Sequence, residues 1–421
     1  MGRLSVLRCP KCGAESTSKL DFRCAACDGI LEAHVAIDHL TRSDFDAMRR
    51  SRDLSIWRWF DFLPVEKRAS IVSLGEGNTP LIHARRLGER IGVPNLYLKN
   101  DTVLPTGSLK DRSNSVGMSV GKELGFTTAS AISTGNAAAS VAAYAAAAGM
   151  QSVVMVPKGT APSKIIQARA YGAAVIVVDG RFDFEVAELY KNAVAEFGWY
   201  DCLSSNPYRV GKKSYAYELV DQFDGQIPDW VIHPTAGGTG IFAMWQGFKE
   251  FLSLGWIERA PKLVAAQSEA AAPFVAALAK GSLTIEAVVA KETVAESIQV
   301  GNPSALGWRA LAALRESNGT AVALSDAEIL EAQAQTASLA GIFAEPAAAT
   351  SVAAAKKLSA AAVIQEGEVV VCNLTGHGLK QPDAIRFAEN EFAPIAPTLD
   401  SLREQIRRLK DSASLARSPS A

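Results

Sequence analysis

The stretch Pro105-Thr-Gly-Ser-Leu-Lys-Asp-Arg112 places one lysine, Lys110, directly after a turn of Pro, Gly and Ser residues and ahead of a helical pattern. A lysine amine attacks a carbonyl carbon only when it is deprotonated, and a dry pocket near other cations lowers the pKa of the amine. Taken alone, a Lys-Asp-Arg run is more often an exposed helix surface. Lys110 is therefore a candidate Schiff-base lysine, and the evidence for this assignment must come from motifs downstream.

The next motif, Ser133-Thr-Gly-Asn136, follows the apolar run 129–132 and precedes a small-residue helix predicted over residues 137–148. A strand, tight turn and helix start leave free backbone N–H groups at the positive end of the helix dipole. These groups can hold a carboxylate, and the amide of Asn136 can bond a ring oxygen. An ordinary N-cap is the alternative that this motif leaves open.

Two further motifs follow predicted strands. The glycines of Thr235-Ala-Gly-Gly-Thr-Gly240 let the backbone close around a phosphate at the start of the next helix. No lysine follows as in a P-loop, and the chain has no Gly-x-Gly-x-x-Gly, which disfavours nucleotide binding. In Leu374-Thr-Gly-His-Gly-Leu-Lys380, Thr375 ends a predicted parallel strand, where ligands of open α/β sheets bind.

Five motifs in this order resemble those of threonine synthases, which are fold-type II, tryptophan-synthase-β-like pyridoxal-phosphate enzymes. The motifs are Gly75-Glu-Gly-Asn-Thr-Pro-Leu81, the stretch 105–112, Ser133–Asn136, Asn206-Pro-Tyr-Arg209 and Leu374–Lys380. Each motif is weak alone, but their order makes the resemblance specific. It extends from about Leu74 to Pro382.

The resemblance implies a cofactor site for pyridoxal 5′-phosphate. Lys110 would carry the cofactor as an imine and serve as the catalytic residue, and Asn136 would bond its phenolic oxygen. The phosphate would be held by Gly237, Gly238, Thr239 and Gly240. Thr375 would face the pyridine nitrogen, and a neutral hydroxyl there suits elimination and replacement better than transamination.

The implied reaction is γ-elimination of phosphate from O-phosphohomoserine, followed by β-addition of water to give threonine. The substrate-binding candidates are Ser133 and Thr134 for the carboxylate and Ser204 and Arg209 for the phosphate. Arg209 is favoured because the guanidinium fork matches phosphate geometry.

The chain departs from the threonine synthase pattern at several positions near these motifs. Leu109 and Ser113 replace Phe and Gly, Ala137 replaces Thr, Leu203 replaces Asn, and Lys212 replaces Gln. The last three changes alter how an anionic side chain would be held. They therefore leave a second reaction open, which is β-replacement or β-elimination on a phosphoserine-, serine- or threonine-type substrate. Such a reaction would resemble that of a cysteate synthase or of an ammonia-lyase.

The cysteines predict a separate metal site. Cys9-Pro-Lys-Cys12 and Cys24-Ala-Ala-Cys27 form two knuckles with 11 residues between them, a spacing that brings four thiolates to a tetrahedral zinc ion. Four sulfur ligands close the ion to substrate, so its predicted role is structural. Cys202 and Cys372 lie in apolar strand-like runs and are predicted to be core residues.

Composition agrees with an α/β enzyme and excludes other classes. The chain has 421 residues, 48% of them hydrophobic, and a net charge of −1, which indicates neither a nucleic-acid nor a membrane partner. The N-terminus has no apolar core long enough for a signal peptide, so we predict a cytoplasmic enzyme acting on a small-molecule amino acid. An interaction protein built on a catalytically dead scaffold is a rival class, against which Lys110 and Thr375 argue.

We predict a fold-type II enzyme of two doubly wound α/β lobes with an N-terminal zinc ribbon. The zinc ribbon covers residues 1–33, and residues 34–70 form a helical arm whose aromatic side chains are packed or lie at a homodimer contact. The large domain covers residues 71–108 and 209–400, and a smaller mobile domain covers residues 109–208. Residues 401–421 form a tail in which a short helix over 402–409 precedes a disordered end.

Overall fold

The computed structural model describes residues 4–133, 135–160, 162–180, 185–203, 206–385 and 394–415, and its strands form three separate sheets. The strands are β1 (Leu4–Arg8), β2 (Glu15–Ser16), β3 (Glu32–Val35), β4 (Leu81–His83), β5 (Leu96–Asn100), β6 (Thr128–Ile132), β7 (Gln151–Pro157), β8 (Ala174–Val178), β9 (Tyr200–Asp201), β10 (Trp230–Pro234), β11 (Lys262–Ser268), β12 (Thr320–Leu324) and β13 (Val370–Leu374).

Helices alternate with most of these strands. They are α1 (Arg42–Arg49), α2 (Arg85–Ile91), α3 (Lys110–Glu123), α4 (Asn136–Ala148), α5 (Pro162–Ala170), α6 (Ala187–Phe197), α7 (Ser214–Gln222), α8 (Thr239–Ser253), α9 (Pro273–Ala279), α10 (Ser304–Glu316), α11 (Asp326–Ala340), α12 (Pro346–Ala360) and α13 (Leu399–Leu415). The chain divides into two units, Met1–Gln381 and Pro382–Ala421.

The largest sheet has six strands in the order β12-β11-β10-β13-β5-β4. All neighbouring strands are parallel except β4 and β5. Every residue of β10 and β13 is buried, as expected for parallel strands covered on both faces. Ile232 is in register with Cys372, so the loops that follow these two strands begin at the same edge of the sheet.

A second sheet has four parallel strands in the order β8-β7-β6-β9. Helix α4 follows β6 and has nine alanines among its 13 residues, so it packs closely on the sheet; nine of its residues are buried. Two mainly parallel sheets that alternate with helices confirm the predicted α/β class.

The N-terminal sheet is antiparallel, in the order β2-β1-β3. Leu7 of β1 and Ala33 of β3 belong to the same apolar cluster as Val116 and Val120 of α3. The phenolic hydroxyl of Tyr208 donates to the carbonyl oxygen of Lys19 at 2.7 Å. The N-terminal sheet thus packs against α3 and against the segment that carries Arg209.

The aromatic segment of the predicted arm forms a 3₁₀ helix, Ile56–Phe62. Trp57, Trp59, Phe60 and Phe62 are all buried within this chain. They join apolar clusters under α3 and α8, which agrees with the predicted packing role.

The second unit contains the amphipathic helix α13. This helix begins before and ends after the predicted segment 402–409, and residues 416–421 of the predicted tail lie outside the described residues. Across the part of the chain that the structure describes, no helix combines the length and apolar character needed to cross a membrane.

Candidate active site

Lys110 is the first residue of α3, and the turn in front of it is held at two points. The backbone N–H of Leu109 donates to the carbonyl oxygen of Thr375 at 2.9 Å. The carboxylate of Asp111 accepts hydrogen bonds from the backbone N–H and the hydroxyl of Thr106, at 2.7 and 2.6 Å. These contacts fix Lys110 beside the carboxyl end of β13.

Arg112 anchors the first turn of α3 in a buried ion-pair network. Its guanidinium contacts Asp101 at 2.8 Å and Glu218 at 2.5 Å, and Lys99 contacts Glu218 at 2.6 Å. None of these four side chains has exposed surface. Removing one member of such a network costs about 3–5 kcal/mol. The Lys-Asp-Arg run is therefore part of the core and not an exposed helix surface.

The side chain of Lys110 lines a space of about 430 Å³, which we call the central cavity. Asn136, Thr375 and residues 237–240 line it as well. The central cavity thus brings together all of the residues that the sequence predicts to hold the cofactor.

The electrostatic surroundings of Lys110 favour its uncharged amine. Burial, and next the positive charge of Arg209, lower the pKa of Lys110 to about 8, whereas the carboxylate of Glu345 acts in the opposite direction. At pH 8 about half of the amine is unprotonated and able to attack a carbonyl carbon.

Residues 235–240, the glycine loop, run from the end of β10 into the first turn of α8. Gly238 has a left-handed backbone with φ 86°, and a Cβ atom on Gly240 would lie 2.0 Å from Nε2 of His233. A Cβ atom on Gly237 would have no heavy atom within 4 Å. Position 238 therefore needs glycine for its conformation and position 240 for space, whereas position 237 is open. It ends at the start of α8, where backbone N–H groups are available to an anion.

Glu345 is a residue of the central cavity that sequence reasoning missed. Its two carboxylate oxygens accept from the amide nitrogen of Asn136 at 3.2 and 3.1 Å, and one of them accepts from the hydroxyl of Ser297 at 3.0 Å. Burial raises the pKa of Glu345 despite these hydrogen bonds. The only local signal is an acidic residue before Pro346 at a helix start, which is common in helices without any functional role.

A wider space of about 1190 Å³, the outer cavity, adjoins the central cavity at Lys110 and Asn136. Ser133 and Ala137 line it, so the predicted carboxylate-binding turn and one of the departures face the same space. Thr134, the other predicted carboxylate ligand, lies outside the described residues.

A third space, of about 540 Å³, separates the N-terminal sheet from α8, and we call it the ribbon-side cavity. Arg209, Lys212 and Thr239 line one side, and Glu32 and Arg309, which form an ion pair, line the other. Ser204, the second predicted phosphate ligand, lies outside the described residues.

The four N-terminal cysteines form one cluster. The sulfur atoms of Cys9, Cys12, Cys24 and Cys27 all lie within 4.8 Å of one another, and none is in a disulfide. Zn–S bonds of about 2.3 Å in a tetrahedron place sulfur atoms about 3.8 Å apart. The cluster therefore fits a four-coordinate metal ion.

Comparison with protein families decides the classification. The family model described as pyridoxal-phosphate dependent enzyme matches residues 72–376. A threonine synthase of Methanocaldococcus jannaschii is 40% identical over 405 residues, 96% of this chain and 99% of its own length. The chain belongs to the threonine synthase group of pyridoxal-phosphate-dependent enzymes.

Other relatives of this group support the same classification. A threonine synthase of Methanosarcina acetivorans is 39% identical over 95% of this chain and 98% of its own length. One of Mycobacterium tuberculosis is 38% identical over 77% of this chain and 87% of its own length. The family predicted from the five motifs is confirmed.

Solved structures confirm the predicted fold type. Maize serine racemase matches with a TM-score of 0.62 and 20% identity, covering 80% of this chain and 94% of its own. The processed form of a threonine deaminase from Solanum lycopersicum matches with a TM-score of 0.60 and 19% identity, covering 78% of this chain and 86% of its own. Identities this low show the fold alone.

The central cavity fits the cofactor of this enzyme family. A primary amine of low pKa, a glycine loop at a helix start and a neutral hydroxyl line one space. The amine can form the covalent link, and the loop can hold the phosphate. Ser133 and Arg209 lie in adjoining cavities that share residues with the central one.

Proposed function

We propose that this chain is a threonine synthase that converts O-phosphohomoserine and water to threonine and phosphate, with pyridoxal 5′-phosphate bound to Lys110. The observation that carries the proposal is the low-pKa amine of Lys110 in a cavity shared with the glycine loop. The high identity to enzymes named threonine synthase over nearly the whole chain supports the choice of reaction.

Each predicted cofactor-binding residue of the central cavity has a role in this proposal. Pyridoxal phosphate, when bound, withdraws electrons from the bonds at the substrate α-carbon. The backbone N–H groups of residues 237–240, within the glycine loop, would donate to its phosphate. Asn136 donates to its phenolic oxygen, and Thr375 places a hydroxyl at the pyridine nitrogen without holding a proton there.

Lys110 is the proton carrier of the reaction. With its amine free, Lys110 would remove and return protons at Cα, Cβ and Cγ of a substrate bound in the central cavity. Ser133, which lines the outer cavity, and Thr134 are proposed to orient the substrate carboxylate. Arg209, with Ser204, holds the phosphate that leaves.

The cysteine cluster is proposed to bind a structural zinc ion. Four thiolates leave no open coordination position for a substrate. A module of about thirty residues cannot bury enough core to fold alone, so metal binding stabilises it. Metal analysis of freshly purified protein tests this, with one zinc per chain expected and none contradicting it.

The predicted domain division belongs to the same proposal. The zinc ribbon comprises residues 1–33 and the arm residues 34–70. Residues 71–108 and 209–400 form the large domain, residues 109–208 the smaller one, and residues 401–421 the tail. A cofactor bound between two domains permits closure over the substrate, which limited proteolysis with and without substrate tests.

A second candidate function is β-replacement or β-elimination on a phosphoserine-, serine- or threonine-type substrate. Ala137 favours it, because it lines the outer cavity without the hydroxyl that threonine synthases have there. Phosphate release and amino-acid products should be measured with O-phosphohomoserine, O-phosphoserine, threonine and serine. Threonine formed from O-phosphohomoserine with the highest kcat/KM supports the first function, and a preference for O-phosphoserine, serine or threonine supports the second instead.

The absorbance spectrum of the purified protein tests whether this is an enzyme at all. A visible band from the lysine-bound cofactor supports the proposal, whereas its absence after adding pyridoxal phosphate supports a dead scaffold. A cytoplasmic location and a homodimer stay predictions from sequence, to be checked by cell fractionation and light scattering.

A further inference from the structure

Lys212 is a buried lysine whose ammonium form has little to compensate its charge. Only 6% of the residue is exposed, and its ammonium group donates to the hydroxyl of Thr239 at 3.1 Å. Among the described residues, no carboxylate lies within ion-pair distance of its nitrogen. A buried ammonium without an anionic partner is costly.

Further cations increase this cost. Burial, and next the charges of Lys110 and Arg209, lower the pKa of Lys212 well below its usual value. The carboxylate of Asp101 acts in the opposite direction but is bonded to Arg112. A negatively charged ligand in this region would compensate the charge of Arg209 and favour the protonated form of Lys212.

Lys212 lies where two of the cavities meet. Lys212 and Thr239 line both the central cavity and the ribbon-side cavity. The glycine loop is on the central side, and Arg209 is on the ribbon side. A phosphate group on either side would therefore lie near the ammonium group.

The neighbouring lysine gives a contrast. Lys213 donates to Glu250 at 2.6 Å and to the carbonyl oxygen of Phe62 at 3.0 Å, so its charge is paired inside the fold. The threonine synthase pattern that this sequence resembles, Gly-Gln-Lys-Thr, has a neutral Gln at the position of Lys212. The positive charge that this chain has and the pattern lacks is therefore that of Lys212, which lines the cavities.

We propose that Lys212 is a phosphate-binding residue that supplies a charge-assisted hydrogen bond to a phosphate monoester at the boundary of the two cavities. The inference rests on the proposed function, because the two phosphate monoesters of the proposed reaction are pyridoxal phosphate and O-phosphohomoserine. Lys212 thereby contributes to phosphate specificity at a position where a glutamine would supply only a neutral donor.

The test compares Lys212→Gln with the wild type and with Lys249→Gln. Lys249 is an exposed lysine on α8 that pairs with Glu316, so its replacement removes the same charge away from the cavities. Dissociation constants are measured by spectral titration of apoprotein with pyridoxal phosphate and with pyridoxal, which lacks the phosphate. KM for O-phosphohomoserine is then measured at saturating cofactor.

Either of two results supports the proposal, and they distinguish a cofactor phosphate from a substrate phosphate. If Lys212 binds the cofactor phosphate, Lys212→Gln weakens pyridoxal phosphate binding at least tenfold and pyridoxal binding less than threefold. If it binds the substrate phosphate, KM rises at least tenfold while cofactor affinity is unchanged. Lys249→Gln should leave all three values within twofold of the wild type.

Values for Lys212→Gln within twofold of the wild type overturn the inference and leave the proposed function intact. Wild-type protein that neither binds pyridoxal phosphate nor uses O-phosphohomoserine overturns the proposed function instead. If Lys212→Gln does not fold, the same measurements are made on Lys212→Met and Lys212→Arg. Both variants keep an aliphatic stem, and only Lys212→Arg keeps the charge. Equal phosphate affinity in Met and Arg variants contradicts the proposal.

Discussion

Replacing Arg209 with glutamine tests the proposed phosphate site most directly. A Cβ atom on Gly117 would lie 3.1 Å from Cγ of Arg209, so the stem of this arginine packs against α3. Its Nε atom is buried and has no hydrogen-bond partner among the described residues. Burial lowers the pKa of the guanidinium, the direction expected for a charge that lacks full compensation. A bound phosphate would supply that compensation.

The expected loss follows from these surroundings. Removing one partner of a buried, hydrogen-bonded charge pair costs about 2–5 kcal/mol. At about 1.36 kcal/mol for each factor of ten, kcat/KM for O-phosphohomoserine should fall about 30- to 5,000-fold. The assay is phosphate release under single-substrate conditions. Binding of L-homoserine, which has no phosphate, should change less than threefold by spectral titration.

The same variant should move the titration of Lys110. The positive charge of Arg209 lowers the pKa of Lys110, so removing it raises that pKa above about 8. Capture of pyridoxal phosphate by the apoprotein needs the neutral amine, so its rate should rise through about pH 8 in the wild type and at higher pH in Arg209→Gln. Arg209→Lys keeps the charge and should leave this midpoint near 8 while still losing the bidentate contact. An unchanged kcat/KM together with an unchanged midpoint would refute the reasoning.

Three other changes test separate parts of the molecule. Lys110→Ala should abolish turnover and the visible band because one amine anchors the cofactor and moves the protons; wild-type activity in this variant contradicts the assignment. Cys9→Ser, or chelation, should release zinc and increase proteolysis within residues 1–33 while the visible band stays; a lost band would mean that the two sites are not independent. Ala137→Thr should recover about 1.5–3 kcal/mol, or about 10- to 100-fold in kcat/KM for O-phosphohomoserine, if a lost hydroxyl limits that substrate. A variant that loses activity on its best substrate and gains none on O-phosphohomoserine favours the second function.

The parts of the site that could be predicted from sequence are those in which one short segment carries the whole signal. The turn before Lys110 and the glycine loop each combine a strand end, small residues and a helix start within about ten residues. The resemblance carried by the five motifs then implied that both segments serve one cofactor site. The helix boundaries at Lys110 and Asn136 agree with this pattern.

The buried network around Arg112 has no comparable local signal. Its partners Asp101 and Glu218 are 11 and 106 residues away in the sequence. A Lys-Asp-Arg run has the same appearance on an exposed helix, and only tertiary packing decides between the two. The same limitation applies to Lys212, whose charge is visible in the sequence but whose contact with Thr239 depends on how α8 packs.

The contact between Glu345 and Asn136 joins residues 209 positions apart. The backbone N–H of Glu345 donates to the carbonyl oxygen of Gly376 at 2.9 Å, and this bond brings the start of α12 to the loop after β13. The carboxylate then accepts from the amide nitrogen of Asn136. An amide nitrogen carries two hydrogens, so one can bond Glu345 while the other remains available for a ring oxygen of the cofactor. Glu345 therefore orients the amide for the role proposed for Asn136, an arrangement that depends on three distant segments and is visible in none of them alone.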